Sequence, residues 1–193
     1  MRSRNRRGEG RLLRTEILVA ATGLLDAGGD ERALTLRAVA RRVGIAAPSI
    51  YPHFPDGPAI VLAVVQHAFA ELAEEIHSAI DAAGNDPGLR LETACRTYVD
   101  FAENHPERYR VMFGSAGATE PGATAVEALQ ILTDTLTDCV TAGRSTSADP
   151  DADANALWLG LHGLAHQHAV AAAYPWPADI VARVATPLSH LVA

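Results

Sequence analysis

The sequence contains no lysine, and all 16 of its basic residues are arginine. It contains only two cysteines, Cys95 and Cys139, which excludes a disulfide framework and a cysteine-based zinc site, so we expect two buried thiols. The alternation of β-branched and polar residues that is typical of strands is nearly absent. With 48% hydrophobic residues among 193, the chain is predicted to be a soluble, globular, all-α protein.

The sequence also lacks a convincing signal peptide or membrane span. Charged residues such as Arg14 interrupt the apolar pattern of residues 12–27, which argues against a secretory signal. Residues 154–173 carry no formal charge, but their three histidines and two amide side chains would be costly to place in lipid. We therefore expect a cytoplasmic protein in which this segment is a buried helix.

The arginines are concentrated at the N-terminus. Residues 1–50 contain ten arginines and five acidic residues, which gives a net charge of +5. Residues 51–193 contain six arginines and eighteen acidic residues, which gives a net charge of −12. A basic N-terminal segment attached to an acidic body is typical of proteins that bind a polyanion.

Helical spacing of apolar residues predicts about nine helices and no strand. They are expected at residues 11–27, 36–43, 46–53, 58–83, 88–104, 106–114, 122–142, 151–173 and 177–192. Residues 1–10 (MRSRNRRGEG) are predicted to be a flexible, arginine-rich arm. The remainder is predicted to divide into a three-helix domain at residues 11–57 and a larger helical domain at residues 58–193.

Residues 35–54 have the pattern of a helix-turn-helix. Thr35 directly precedes the apolar repeat of the first helix and is placed to cap it. Ala40 is small where two crossing helices approach, Gly44 can adopt the positive φ of the turn, and Ile50 can anchor the second helix.

The stretch TLRAVARRVGI (35–45), continued by SIYPHF (49–54), resembles the N-terminal domain of TetR-family transcriptional regulators. The resemblance covers about residues 12–62. Downstream, HPERYRVMFG (105–114) and the pattern Trp158-x-x-x-His162-Gly163 resemble the branch of this family whose ligand domain is named for its Trp, His and Gly.

This resemblance implies a DNA-binding transcriptional regulator that is not an enzyme and uses no cofactor. The implied protein is a homodimer, paired through its last two helices, that binds a palindromic operator of double-stranded DNA. The larger domain would bind a small organic effector, whose identity the sequence does not specify, and this would release a repressor from DNA. The helix at 58–83 would transmit the signal through its contact with residues 106–114.

The resemblance assigns DNA contacts to both helices of the motif. Tyr51 and His53 would donate hydrogen bonds to phosphate oxygens, and packing against the first helix is the alternative for His53. Ser49 can hydrogen-bond a base or a phosphate, whereas residues 46–48 are two alanines and a proline that offer only apolar contacts. The candidate DNA-binding residues are Thr35, Arg37, Ala46, Ala47, Pro48, Ser49, Tyr51 and His53.

Two positions depart from the family pattern. Pro52 removes a backbone donor and is expected to end the reading helix at Tyr51. Gly57 stands where many members carry a lysine that contacts phosphate, so we expect fewer phosphate contacts and a shallower salt dependence. Arg37 or the arginine-rich arm is then expected to supply contacts that the reading helix lacks.

Inward-facing residues of the middle helices are predicted to line the effector pocket, and core packing is the alternative for each of them. Trp158, His162 and His166 step by four residues along one helix face, so they could equally lie at the dimer interface. The candidate pocket residues are Tyr98, Phe101, Met112, Phe113, Trp158 and His162.

The sequence predicts no metal site. His162 and His166 have the i, i+4 spacing of a ligand pair, but no carboxylate or cysteine obviously accompanies them. Glu74-x-x-His77 resembles half of a di-iron motif that needs a second copy, and the sequence has none. The alternative function is a helical small-molecule-binding protein or metalloenzyme of the same architecture with weak or lost DNA binding.

Overall fold

The computed structural model describes residues 9–28, 30–114, 123–170 and 175–192. These residues form eight α-helices and two short 3-10 helices, and they contain no strand, which confirms the predicted all-α fold. The α-helices are α1 (Glu9–Asp26), α2 (Leu36–Val43), α3 (Gly57–Ala82), α4 (Pro87–Asn104), α5 (Pro106–Met112), α6 (Ala123–Thr141), α7 (Pro150–Val170) and α8 (Ile180–Leu188). The 3-10 helices are Glu31–Ala33 and Ala47–Ser49.

The helix predicted at residues 46–53 is the main correction. Ala47–Ser49 form a single 3-10 turn, and hydrogen-bonded turns continue from there to Phe54. Pro52 explains this difference, because it has no N–H to donate to the carbonyl of Pro48 and it disfavours an α conformation at the residue before it. The nine predicted helices therefore become eight α-helices in the part of the chain that is described.

Two terminal predictions also change. Of the predicted arm at residues 1–10, residues 1–8 lie outside the described residues. Residues 9 and 10 belong to α1. The last helix is shorter than the predicted 177–192, because α8 begins at Ile180 and ends at Leu188. Residues 171–173, the end of another predicted helix, lie outside the described residues.

The helices belong to two compact units. The first contains the described residues within Met1–Ala68 and Glu107–Glu120. The second contains those within Phe69–Pro106 and Pro121–Ala193. Helix α3 therefore contributes its first half to one unit and its second half to the other.

In the first unit, α2 is capped at both ends by the residues that the sequence indicated. The Thr35 hydroxyl accepts a hydrogen bond from the Ala38 N–H (3.2 Å), which satisfies a donor of the first turn. Gly44 adopts a left-handed conformation (φ 77°) and donates its N–H to the Ala40 carbonyl. These caps set the length of α2 and direct the chain into the turn that follows.

A bidentate ion pair ties α5 to the end of α1 within the same unit. The Arg108 guanidinium donates from Nε to Asp26 Oδ1 (2.8 Å) and from Nη2 to Asp26 Oδ2 (2.6 Å). The Arg108 side chain is only 16% exposed, so solvent screens this pair weakly. The contact joins residues that are 82 positions apart in sequence.

In the second unit, α7 packs against α4, α6 and α8. Gly160 allows a close approach of α7 and α8, because a Cβ there would lie 2.8 Å from Leu188 Cδ1 and 2.9 Å from Val184 Cγ1. No helix among the described residues is long and apolar enough to span a bilayer.

Candidate nucleic-acid interface and effector site

The turn after Gly44 separates anchoring side chains from accessible ones. Ile50 and Phe54 are buried, with 0% and 1% exposure, and they fix the turn on the core of the first unit. The predicted reading positions lie on the outside: Ala46, Pro48 and Ser49 are exposed, and Ala47 is half-buried. The turn thus presents short side chains, of which Ser49 alone carries a hydrogen-bonding group.

Tyr51 and His53 lie at the end of this turn in different environments. Tyr51 is 57% exposed, so its hydroxyl is accessible and the residue is not part of the core. His53 is half-buried, and its Cε1 lies 3.9 Å from the position that a Cβ on Gly10 would occupy. His53 therefore packs beside the first turn of α1 and keeps part of its surface accessible.

Helix α2 presents a basic face next to the turn in sequence. Arg37 and Arg41 are exposed and one helical turn apart, so their side chains lie on the same side of the helix. Val39 and Ala40 point the other way and are buried. Thr35 is exposed, but its hydroxyl already serves as the helix cap.

The start of α3 follows the turn and lacks a cation. Asp56 Oδ1 accepts a hydrogen bond from the Ala59 N–H (2.8 Å) and caps the helix. Helix α3 begins at Gly57, where an added Cβ would be 3.7 Å from the Leu34 carbonyl oxygen, an ordinary contact distance. Nothing in the local packing therefore requires glycine instead of lysine at this position.

Arg14 on α1 was not singled out from the sequence. Its guanidinium carbon lies 4.7 Å from the centroid of the Phe54 ring, a cation–π contact. Arg14 is one helical turn after Gly10 and one before Ile17, which is fully buried. An arginine on the inward-facing stripe of the first helix is the signal that could have identified it.

In the second unit, three of the predicted pocket residues come together. The Tyr98 hydroxyl lies 3.4 Å from His162 Nδ1, and Tyr98 itself is buried. The Trp158 indole stacks on the His162 ring, with centroids 5.4 Å apart and planes inclined by 22°. The polar pair joins α4 to α7, and the aromatic pair lies within α7.

Burial and the neighbouring His166 lower the pKa of His162 below its usual value. The imidazole is therefore neutral at neutral pH. In that state one ring nitrogen donates and the other accepts a hydrogen bond, so the group can serve a polar ligand without adding charge.

The other predicted pocket residues lie elsewhere. Phe101 is fully buried on α4, and its ring packs at an angle against His105, with centroids 5.0 Å apart. Met112 and Phe113 belong to the first unit, where the Phe113 ring contacts Tyr109 (4.8 Å between centroids). Of the six candidates, contacts with one another are established for Tyr98, Trp158 and His162.

Both cysteines are free and buried, which confirms that they are core thiols. Burial raises the pKa of Cys95 to about 12 and that of Cys139 to about 11, so both thiols are protonated at neutral pH. Cys139 Sγ also donates a hydrogen bond to the Pro87 carbonyl (3.2 Å).

The histidines of α7 are distributed over different surroundings. His166 is exposed, whereas His168 pairs with Glu103 and stacks on Trp176. Within the described ranges, no three histidine, cysteine, aspartate or glutamate side chains are grouped so that they could hold a metal ion.

Two family models match most of the chain. Residues 17–64 match the model described as bacterial regulatory proteins, tetR family, and they include the turn and the basic face of α2. Residues 91–191 match the model described as the tetracyclin repressor-like C-terminal domain. The chain belongs to the TetR family. Members of this family are regulatory proteins and not enzymes, and they bind DNA and small-molecule effectors as dimers.

A curated relative supports the same family. The chain is 32% identical over 146 residues to the HTH-type transcriptional activator FasR of Mycolicibacterium smegmatis, in an alignment that covers 70% of this chain and 62% of that protein. The aligned part thus spans less than two thirds of that relative's length.

Among solved structures, a protein of unknown function from Rhodococcus sp. RHA1 has a TM-score of 0.80 at 25% identity, covering 94% of this chain and 96% of that one. A regulatory protein of the tetR family from Rhodococcus RHA1 has a TM-score of 0.63 at 21% identity, covering 93% and 96%. The similarity to the second structure shows a common fold and no more.

The C-terminal family match includes Trp158, His162 and Gly163. The more specific assignment to the branch named for these residues stays a prediction.

Proposed function

We propose that this TetR-family protein is a transcriptional regulator that binds a palindromic operator as a homodimer. The observation that carries the proposal is the basic face of α2, where the exposed arginines Arg37 and Arg41 lie beside a helix-turn-helix whose turn is anchored by Ile50 and Phe54. Exposed arginines without carboxylate partners provide the positive surface that phosphate groups require.

The proposed DNA contacts of each subunit are of two kinds: contacts to phosphate groups, which position the protein, and contacts to base edges, which read the sequence. Tyr51, His53 and Arg37 are proposed to bind phosphate groups, because all three present polar groups at the surface of the first unit. Ser49 is proposed to contact a base edge or phosphate, and the residues at 46–48 are proposed to make apolar contacts such as those with a thymine methyl group. Thr35 is proposed to contribute through its backbone or its position at the start of α2, since its hydroxyl caps the helix.

The effector is proposed to be a small organic molecule that binds in the second unit among Tyr98, Trp158 and His162, with Phe101 of the same unit as a further contact. An aromatic wall with one neutral polar pair suits an apolar ligand that carries a hydrogen-bonding group. Alanine variants of Trp158, His162 and His166 test the alternative placement of these residues at the dimer interface, because that placement predicts a change in oligomeric state.

The last two helices, α7 and α8, are proposed to form the homodimer, and the effector is proposed to release the protein from DNA as it would a repressor. FasR, the relative described above, is named as an activator. A reporter gene placed behind the selected operator distinguishes the two: deletion of the regulator raises expression for a repressor and lowers it for an activator.

Selection of bound sequences from random DNA tests the proposal directly. We expect a palindromic consensus with half-sites about one duplex turn apart, near 34 to 36 Å, because paired reading elements must enter successive major grooves. The affinity for the consensus should fall as the salt concentration rises, and at each salt concentration it should exceed the affinity for a scrambled control. Failure to enrich any sequence would contradict the proposed function.

A further inference from the structure

We infer that Arg14 on α1 is a phosphate-anchoring residue of the DNA interface and takes the place of the lysine that position 57 lacks. The inference rests on the proposed function, because it concerns how the first unit holds DNA. It assigns a role to a residue outside the helix-turn-helix pattern.

The first step is that Arg14 is held in place. Its guanidinium carbon lies 4.7 Å from the centroid of the Phe54 ring, and that ring is itself immobilised because Phe54 is 1% exposed. A guanidinium stacks well on an aromatic ring, and this restricts a side chain that would otherwise sample many rotamers. Binding of phosphate would therefore cost less side-chain entropy at Arg14 than at an unrestrained arginine.

The second step is that Arg14 lies beside the recognition turn. Phe54 directly follows His53, and His53 Cε1 lies 3.9 Å from the Cβ position of Gly10, one helical turn before Arg14. The first two turns of α1 therefore run next to the residues at 51–54. A cation at this place can act together with the hydroxyl of Tyr51 on the same stretch of phosphate backbone.

The third step is that the charge of Arg14 is not neutralised. The cation–π contact uses no carboxylate, and no ion pair joins Arg14 to an acidic side chain among the residues that the structure describes. The Asp56 carboxylate, two residues after Phe54, accepts the Ala59 N–H at the start of α3. Arg14 is also exposed, so its N–H donors are accessible to a phosphate group.

Other arginines of the first unit are placed differently. Arg42 lies beside Gly23, with Nη2 3.9 Å from the Cβ position of that glycine. Gly23 is about 14 Å further along α1 than Arg14, at 1.5 Å per residue. Arg42 is therefore held away from the end of the recognition turn, whereas Arg14 contacts Phe54 at that end.

The experiment compares the wild type with Arg14→Gln, Arg14→Lys and the charge-matched control Arg96→Gln, which removes an arginine from α4 in the second unit. Fluorescence anisotropy on the selected operator gives the dissociation constant over a range of salt concentrations. We expect Arg14→Gln to reduce the slope of log K against log salt by about 2 per dimer, since each lost phosphate contact lowers it by about 0.9. Arg14→Lys and Arg96→Gln should keep the wild-type slope.

A rescue variant separates lost contact from lost folding. In Arg14→Gln/Gly57→Lys, a lysine at the start of α3 supplies the missing cation, and we expect the wild-type slope to return. A misfolded variant could not be rescued in this way, and the thermal melting curve checks that each variant is folded.

The possible outcomes are distinct. A slope for folded Arg14→Gln equal to that of Arg96→Gln would overturn the inference and leave the proposed function intact. An absence of operator binding by the wild type at every salt concentration would overturn the proposed function and this inference together. A reduced slope that Gly57→Lys restores would support the inference.

Discussion

The arginines of the two halves of the chain differ in their partners. Five of the six that follow residue 50 pair with a carboxylate: Arg96, Arg108, Arg110, Arg144 and Arg183. Within the described residues, the arginines before residue 50 form no ion pair with a carboxylate: Arg11, Arg14, Arg32, Arg37, Arg41 and Arg42. The Asp26 carboxylate pairs with Arg108. Exposure does not explain this difference, because Arg110 and Arg183 are 59% and 65% exposed and are nevertheless paired.

In the second unit, two buried titratable side chains also remain uncharged at neutral pH. His162 is kept neutral at neutral pH because burial lowers its pKa, and the thiol of Cys95 stays protonated because burial raises its pKa to about 12. The N-terminal region instead exposes its positive charge. This contrast indicates that the exposed arginines before residue 50 are arranged for an external polyanion, while the paired arginines after residue 50 serve structure.

The largest effect is expected on breaking the most buried of the paired arginines. Arg108→Gln removes the bidentate contact and leaves Asp26 without its charged partner, which should lower the free energy of unfolding by about 2 kcal/mol. Urea denaturation measures this loss. The matched variant Arg96→Gln, which breaks an exposed i, i+4 pair, should lose less than about 0.5 kcal/mol. Equal losses would contradict the distinction between buried and exposed pairs.

The opposite pattern is expected for an arginine of the basic surface. Arg37→Gln should leave the free energy of unfolding within about 0.5 kcal/mol of the wild type, because Arg37 is exposed and forms no ion pair with a residue that the structure describes. Its affinity for the operator should fall about tenfold at low salt, with a salt slope reduced by about 2 per dimer. Anisotropy and urea denaturation on the same preparation test both statements. A loss of stability without a loss of affinity would reverse the interpretation of the two regions.

Local features of the fold could be predicted from the sequence because neighbouring residues determine them. Thr35 and Gly44 cap α2 as expected, since a cap depends on one side chain or one backbone conformation. The burial of Ile50 also agrees with its predicted role as the anchor of the second helix. The prediction of a helix at residues 46–53 was wrong, because Pro52 has no N–H to donate and the helical spacing of Ile50 and Phe54 does not show this.

The contacts that link distant residues could not be predicted. The Arg14–Phe54 contact and the Arg108–Asp26 pair join positions that no periodicity relates, so their residue types alone give no sign of them. The proximity of Tyr98, Trp158 and His162 was anticipated only as membership of a common pocket. Such contacts depend on how helices pack, and packing is determined by the whole chain.

A smaller effect is expected from adding a cation to the first unit. Gly57→Lys should steepen the salt slope by about 2 per dimer, because it adds a phosphate contact at the start of α3 to the one proposed for Arg14. Stability should change little: lysine is a better helix former than glycine by up to about 1 kcal/mol, whereas a cation at a helix N-terminus costs about 0.3 to 1 kcal/mol. The Cβ position at residue 57 is in ordinary contact with the Leu34 carbonyl, so the side chain can be accommodated. Gly57→Gln is the uncharged control, and an equal slope for both variants would count against a phosphate near this position.

The smallest effect is expected on the pH dependence of stability, through the neutral imidazole of His162 in the second unit. Because the pKa of His162 is lowered in the folded protein, its titration followed by NMR should have a midpoint below 6.5. A histidine with a lowered folded pKa binds protons more weakly in the folded than in the unfolded state, so stability is lost as the pH falls below 6.5 and the loss ends below the folded pKa. His162→Asn should make the unfolding free energy less dependent on pH in that window. If instead the midpoint of His162 lies at or above 6.5, the ring carries charge near neutral pH, and an effector for this site would be expected to bring a negative group rather than a neutral one.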